Sequence, residues 1–92
     1  MPSQDITVPT EFVWKYGGNR VILTGSFDNW QQSIAMKKDS LGIFRATLLL
    51  NPYIAWSFKF VVDGVWRCCM DSPTTVDQFG NVNNFLDKCS SA

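Results

Sequence analysis

The sequence contains no histidine. That removes the imidazole on which Ser/His and Cys/His nucleophile pairs depend, and with it any metal site built on histidine. It also leaves no side chain whose ordinary pKa lies between about pH 5 and 8. Net charge is missing as well, since eight Lys plus Arg balance eight Asp plus Glu over 92 residues. A neutral chain does not suit a phosphate-neutralising surface, although a local basic patch stays open through Lys15, Arg20, Lys37 and Lys38. No apolar run approaches the roughly 18 residues that span a bilayer, so no membrane partner is expected. The opening "MPSQDITVPTEF" has neither the basic nor the apolar region of a secretory signal. Cysteine is scarce and odd in number: three residues, with Cys68 and Cys69 adjacent and Cys89 near the end. Adjacent cysteines seldom bridge each other, and no even-numbered staple framework exists. The expectation is a cytoplasmic protein with reduced thiols.

These absences bear on catalysis. The cysteines lack a fourth partner and ligand spacing, so no metal is expected. Most acids sit in turn sequences such as "FDN", "KDS", "VDG" and "MDSP", where aspartate is expected anyway, whereas glycoside hydrolysis needs two carboxylates facing across a cleft. No glycine-rich phosphate loop precedes a helix. The chain reads as a non-enzyme without a cofactor.

What the sequence does have is apolar and aromatic mass, 46% and 14% of residues, enough for one packed domain over residues 1–92 with its core at about 8–87. Turn signals recur at short intervals: "YGGN", "FDNW", "KDSLG", "NP", "VDGV", "DSP" and "FGN". Between them lie "EFVWKY", "RVILTG", "IAMKK", "IFRATLLL", "IAWSFKFVV", "VWRCC" and "NNFLD". Short β-prone stretches at this spacing predict an all-β antiparallel sandwich or barrel, with helices minor.

Parity sorts the aromatics, because side chains alternate faces along a strand. In "IAWSFKFVVD", Ile54, Trp56, Phe58, Phe60 and Val62 form the apolar face, and Ala55, Ser57, Lys59, Val61 and Asp63 the other. Asp63-Gly64 signals a two-residue hairpin turn. That turn pairs Val62 with Val65 and Val61 with Trp66, placing Trp66 outward beside Lys59. A bulge at the turn would instead flip Trp66 inward. In this register Arg67 falls on the core face, so the strand is expected to twist or end there. Trp14, alternating with Phe12 and Tyr16, reads as core, and so does Trp56. Trp30 follows the loop composition "GSFDN", where it either lids one end of the sandwich or lines a site.

"VILTGSFDNW", "FKFVVDGVW" and "FGNVNNF", in that order and joined by "FVWKYGGNRV", resemble one family over about residues 8–87. It is the glycogen-binding module of the AMP-activated protein kinase β subunit, carbohydrate-binding module family 48. The resemblance implies an immunoglobulin-like antiparallel β-sandwich that binds α-1,4-linked glucans such as glycogen, starch and maltooligosaccharides. It implies that Trp30 and Trp66 stack on glucose rings and that Lys59 and Asn83 hydrogen-bond hydroxyls. Phe79 stands where the family has a leucine wedge, and Asn81 where it often has threonine. The implied role is to target a kinase complex or fused enzyme to the polysaccharide. The family's kinase β subunits carry a further C-terminal docking region with no counterpart after Asp87. The resemblance therefore implies either an excised domain or a protein without that role. Two other classes stay open on the residues alone. One is a nucleic-acid module that stacks bases on exposed aromatics, and the other a protein-interaction module docking through a sheet edge.

Overall fold

The structure is a computed structural model describing residues 6–88. Among the described residues nine strands make two antiparallel sheets: β1 (Val8–Trp14), β2 (Val21–Gly25), β3 (Ile34–Ala35), β4 (Lys37–Lys38), β5 (Phe44–Leu50), β6 (Trp56–Val62), β7 (Val65–Arg67), β8 (Thr74–Val76) and β9 (Val82–Leu86). One sheet is ordered β1-β5-β4; the other runs β3-β2-β6-β9-β8, with β7 also paired to β6. The described residues contain no helix.

Alternation in the sequence produces the two inner faces. On β5, Phe44 and Leu50 are buried and Ala46 and Leu48 partly so, whereas Arg45, Thr47 and Leu49 between them are exposed. Across the pair, Trp14 meets Phe44 and Phe12 meets Ala46. The facing sheet contributes Val21 and Leu23 from β2 and Phe58, Phe60 and Val62 from β6. The layers interlock through aromatic edges, with Phe12 T-shaped on Phe58 at 4.9 Å and Trp14 tilted on Phe60 at 5.0 Å. Burying such a side chain contributes roughly 1.5–3 kcal/mol, which makes this seam the main source of stability.

The Asp63-Gly64 hairpin has the expected register: Val62 opposite Val65 and Val61 opposite Trp66. Both turn residues have positive φ, 49° and 86°, as a type I′ turn requires. The Asp63 carboxylate also accepts the Arg20 N–H at 2.8 Å, tying the hairpin to the entry of β2. Strand β7 ends at Arg67, the residue whose parity conflicts with the core.

Four expectations need correction. Ile54 does not join the buried face: it lies before β6 and is 47% exposed. Asn51 turns the chain there, accepting the Tyr53 N–H on its side chain at 2.8 Å and breaking the alternation. Trp56 is half-buried at the end of the seam, packed on Phe27 and donating its indole N–H to the Asn51 carbonyl at 3.1 Å. Tyr16 is half-exposed, its ring covering Trp14 from outside. "IAMKK" is not one strand. Met36 is buried between β3 and β4, where the chain crosses from one sheet to the other. Strand β8 escaped the sequence reading, because three residues behind a proline carry no alternation to detect. Cys68 and Cys69 are free thiols, and Cys89 lies outside the described residues.

Candidate functional site

The outer face of the larger sheet has a break in its pairing. Along one side β6 pairs with β2; along the other it pairs first with β9, at residues 56–58, and then with β7, at residues 60–62. Lys59 falls at the junction. It sits opposite Thr24 on β2, and continuing the β6–β9 register by one residue sets Asn83 beside it. Strand β7 brings Trp66 across from Val61. Cross-strand partners share a face, so Lys59, Val61, Trp66 and Asn83 all point outward. Val61 is nevertheless only 4% exposed, flanked on that face by Ile22 on one side and Trp66 on the other.

Trp30 comes from the loop after β2, and that loop is built on two devices. Gly25 allows the backbone to press against β6: a Cβ there would collide with the Ser57 carbonyl oxygen and come within 2.9 Å of the Phe58 Cα. Ser26 N–H then donates to the Ser57 carbonyl at 2.8 Å. The second device is Asp28. Its carboxylate accepts the hydroxyl of Thr24 (2.9 Å), the N–H groups of Gly25 (2.9 Å), Trp30 (3.1 Å) and Ser33 (3.0 Å), and the Ser33 hydroxyl (2.8 Å). Partial burial pushes the Asp28 pKa up, but the donors led by Gly25 and Ser33 outweigh it and bring it down to about 2. These contacts hold Asn29, Trp30 and Gln32 at φ of 55°, 61° and 56°, left-handed conformations that non-glycine residues rarely adopt.

The third wall is the turn between β8 and β9, organised by Asp77. Its Oδ1 accepts the N–H groups of Phe79 at 2.8 Å and Asn81 at 3.0 Å, and its Oδ2 accepts the Asn81 amide at 3.2 Å. The Asn81 N–H does most to lower the Asp77 pKa, helped by the Phe79 N–H and the Asn81 amide. Gly80, at φ 85°, lets the turn close.

Trp30, Lys59, Trp66, Asp77, Asn81 and Asn83 line one open cleft of about 480 Å³. Five of the six residues singled out in the sequence therefore meet there. Phe79 does not line it. It is 79% exposed in the same β8–β9 turn, between Asp77 and Asn81. Asp77 is the lining residue that sequence reasoning missed. Its signal was the spacing in "DQFGN", an aspartate two and four residues ahead of N–H groups it can accept, with glycine between. The neighbouring asparagines divide by parity. Asn83 faces the cleft, whereas Asn84 turns inward with no exposure and clamps the Cys69 backbone, its amide donating to the carbonyl at 2.8 Å and its oxygen accepting the N–H at 2.6 Å.

Two indoles, two amides, an ammonium and a carboxylate around an open cleft can cover apolar ring faces and satisfy a rim of hydroxyls. With the antiparallel sandwich beneath them, they define a β-sandwich binding module. Residues 8–90 match the family described as the glycogen recognition site of AMP-activated protein kinase, and the chain belongs to that family of non-catalytic modules. It is 41% identical over 80 residues to the 5'-AMP-activated protein kinase subunit beta of Schizosaccharomyces pombe, covering 87% of this chain and 26% of that protein. It is 40% identical over 78 residues to the Signal transduction protein MDG1 of Saccharomyces cerevisiae, covering 82% and 21%. It is 36% identical over 80 residues to the SNF1-related protein kinase regulatory subunit beta-1 of Arabidopsis thaliana, covering 87% and 28%. The chain thus spans only about a quarter of the length of these relatives.

Proposed function

We propose that the chain, as a single domain, binds α-1,4-linked glucans (glycogen, starch and maltooligosaccharides) without transforming them, through the cleft between Trp30 and Trp66. The observation that carries this reading is the convergence of both indoles with Lys59, Asn81 and Asn83 on one cleft from three separate parts of the chain. A pyranose has an apolar C–H face and a hydroxyl rim. At about 25 cal/mol per Å², covering ~80 Å² of apolar surface contributes roughly 2 kcal/mol per indole. Each hydroxyl hydrogen bond adds about 1 kcal/mol net, because water competes for it. Phe79, exposed beside the cleft, is the apolar wedge against a curved chain. In this reading the module serves in the cytoplasm to bring a protein kinase complex to the polysaccharide, which its similarity to two kinase β subunits supports.

The nucleic-acid alternative finds little support. Lys15 is paired with Asp71 at 3.3 Å, and Lys37 and Lys38 lie on β4 in the other sheet from the cleft. The test is calorimetric titration of maltooligosaccharides, cellooligosaccharides of equal length and single-stranded DNA at about 50 and 200 mM salt. A curved α-glucan site binds the maltooligosaccharides best, with affinity nearly flat in salt. A protein contacting 6–10 phosphates would lose about 10³–10⁵ over that range. Equal affinity for the two sugar series, or salt-steep DNA binding without glucan binding, would overturn the reading.

A further inference from the structure

Asp77 differs in kind from the other cleft residues. Among the described residues it is the one anion on the wall, and Lys59 is the one cation facing it across the cleft. It is also a hub, because its carboxylate takes the Asn81 amide N–H as well as two backbone N–H groups. An amide that gives its N–H groups to a carboxylate keeps its carbonyl oxygen for the ligand. The β8–β9 side of the cleft therefore presents acceptors, the oxygens of Asp77 and Asn81, while Lys59 presents donors.

We propose that Asp77 is a specificity-determining residue of the cleft, setting this acceptor wall so that the cleft takes unmodified glucose units and rejects units bearing a phosphate monoester. The inference rests on the glucan reading above and deepens it. A free hydroxyl both donates and accepts, so it satisfies either wall. A phosphate monoester at neutral pH is dianionic or nearly so and only accepts. Against Asp77 it meets like charge, and it has no proton to give the Asn81 carbonyl oxygen. The ionised state of Asp77 is secured by its backbone donors, so the wall keeps its charge throughout the physiological range.

The experiment is calorimetric titration of maltoheptaose and of maltoheptaose carrying a single internal 6-phosphate, at about 50 and 500 mM salt. The proteins are wild type, Asp77→Asn and Asp77→Ser, each with its melting temperature recorded. Serine keeps a short acceptor for the turn N–H groups and removes the charge, which guards against a variant that merely unravels the turn. Wild type is expected to prefer the neutral chain by about tenfold or more at low salt, and less at high salt, as screening of partly exposed charges requires. In both variants the preference should fall to within about twofold. A purely structural Asp77 would weaken both ligands alike and leave their ratio unchanged, and that result would overturn the proposal. So would a wild type with no preference. Failure of wild type to bind maltoheptaose at all would instead overturn the glucan reading, and this inference with it.

Discussion

Replacing Trp66 by alanine separates two jobs that the indole performs at once. It forms one wall of the cleft, and on the outer face it flanks Val61, which is 4% exposed although it does not face the sandwich core. The affinity term follows from the ring face: losing about 80 Å² of covered sugar surface at ~25 cal/mol per Å² costs roughly 2 kcal/mol. That is about a 30-fold weakening, since 1.4 kcal/mol is tenfold. The stability term is smaller, because Trp66 is itself 44% exposed in the free protein. Uncovering part of one valine costs about 1 kcal/mol. For a domain of this size that lowers the melting temperature by roughly 4–8 °C. Phe60→Ala supplies the contrast. It is 1% exposed and in contact with Trp14, so truncation costs about 3–5 kcal/mol and leaves little folded protein to titrate. The assay is maltoheptaose calorimetry beside a thermal melt monitored by far-UV circular dichroism. Trp66→Ala binding as tightly as wild type would refute the role of the indole in the cleft. A melting loss as large as that of Phe60→Ala would refute the outward placement of the ring.

Asp28→Ala removes one acceptor from five donors and should cost about 1–3 kcal/mol in stability, the exposed bonds contributing least. Glucan affinity should drop about tenfold as Trp30 relaxes from its left-handed conformation, and an unchanged affinity in a folded variant would show that the loop needs no such anchor. Gly25→Ala drives a methyl into the β6 backbone and should abolish a cooperative melt, whereas Gly42→Ala, where a Cβ meets only open space, pays solely for its φ of 81° and should keep one. Asn84→Ala leaves the buried Cys69 N–H without its acceptor and the Cys69 carbonyl with only the longer Ser72 N–H at 3.4 Å, and should cost about 1–3 kcal/mol, while Asn83→Ala should act chiefly on affinity; equal melting losses for the two would contradict the parity assignment. The pH dependence has a definite sign. Because the folded-state pKa of Asp28 is lowered from 3.8 to about 2, its contribution is fully present above roughly pH 5 and is lost as pH falls toward 2. Denaturant melts between pH 2 and 8 should show stability falling only on the acid side, and a loss between pH 5 and 8 would point to another group.

The sequence alone determined the features that depend on neighbours along the chain. Alternation in "FKFVV" separated Phe58 and Phe60 from Lys59, and Asp63-Gly64 dictated the register that carries Trp66 outward, because a turn with two positive φ values admits one pairing. The resemblance to the glycogen-binding family named five residues that meet in the cleft. Tertiary structure decided what depends on distant partners. Ile54 left the buried face because Asn51 turns the chain before β6 begins, and Phe79 stands clear of the cleft at the tip of its turn. Val61 is sheltered only because β2 and β7 flank it, and β8 exists only because β9 is there to pair with. Asp77 entered the cleft for the same reason. Its carboxylate looks in sequence like any turn aspartate, and it becomes part of a wall only when β6, β7 and β9 meet around Lys59. Parity and turn chemistry act over a few residues and can be read directly, whereas burial and the company a side chain keeps are set by strands dozens of residues apart.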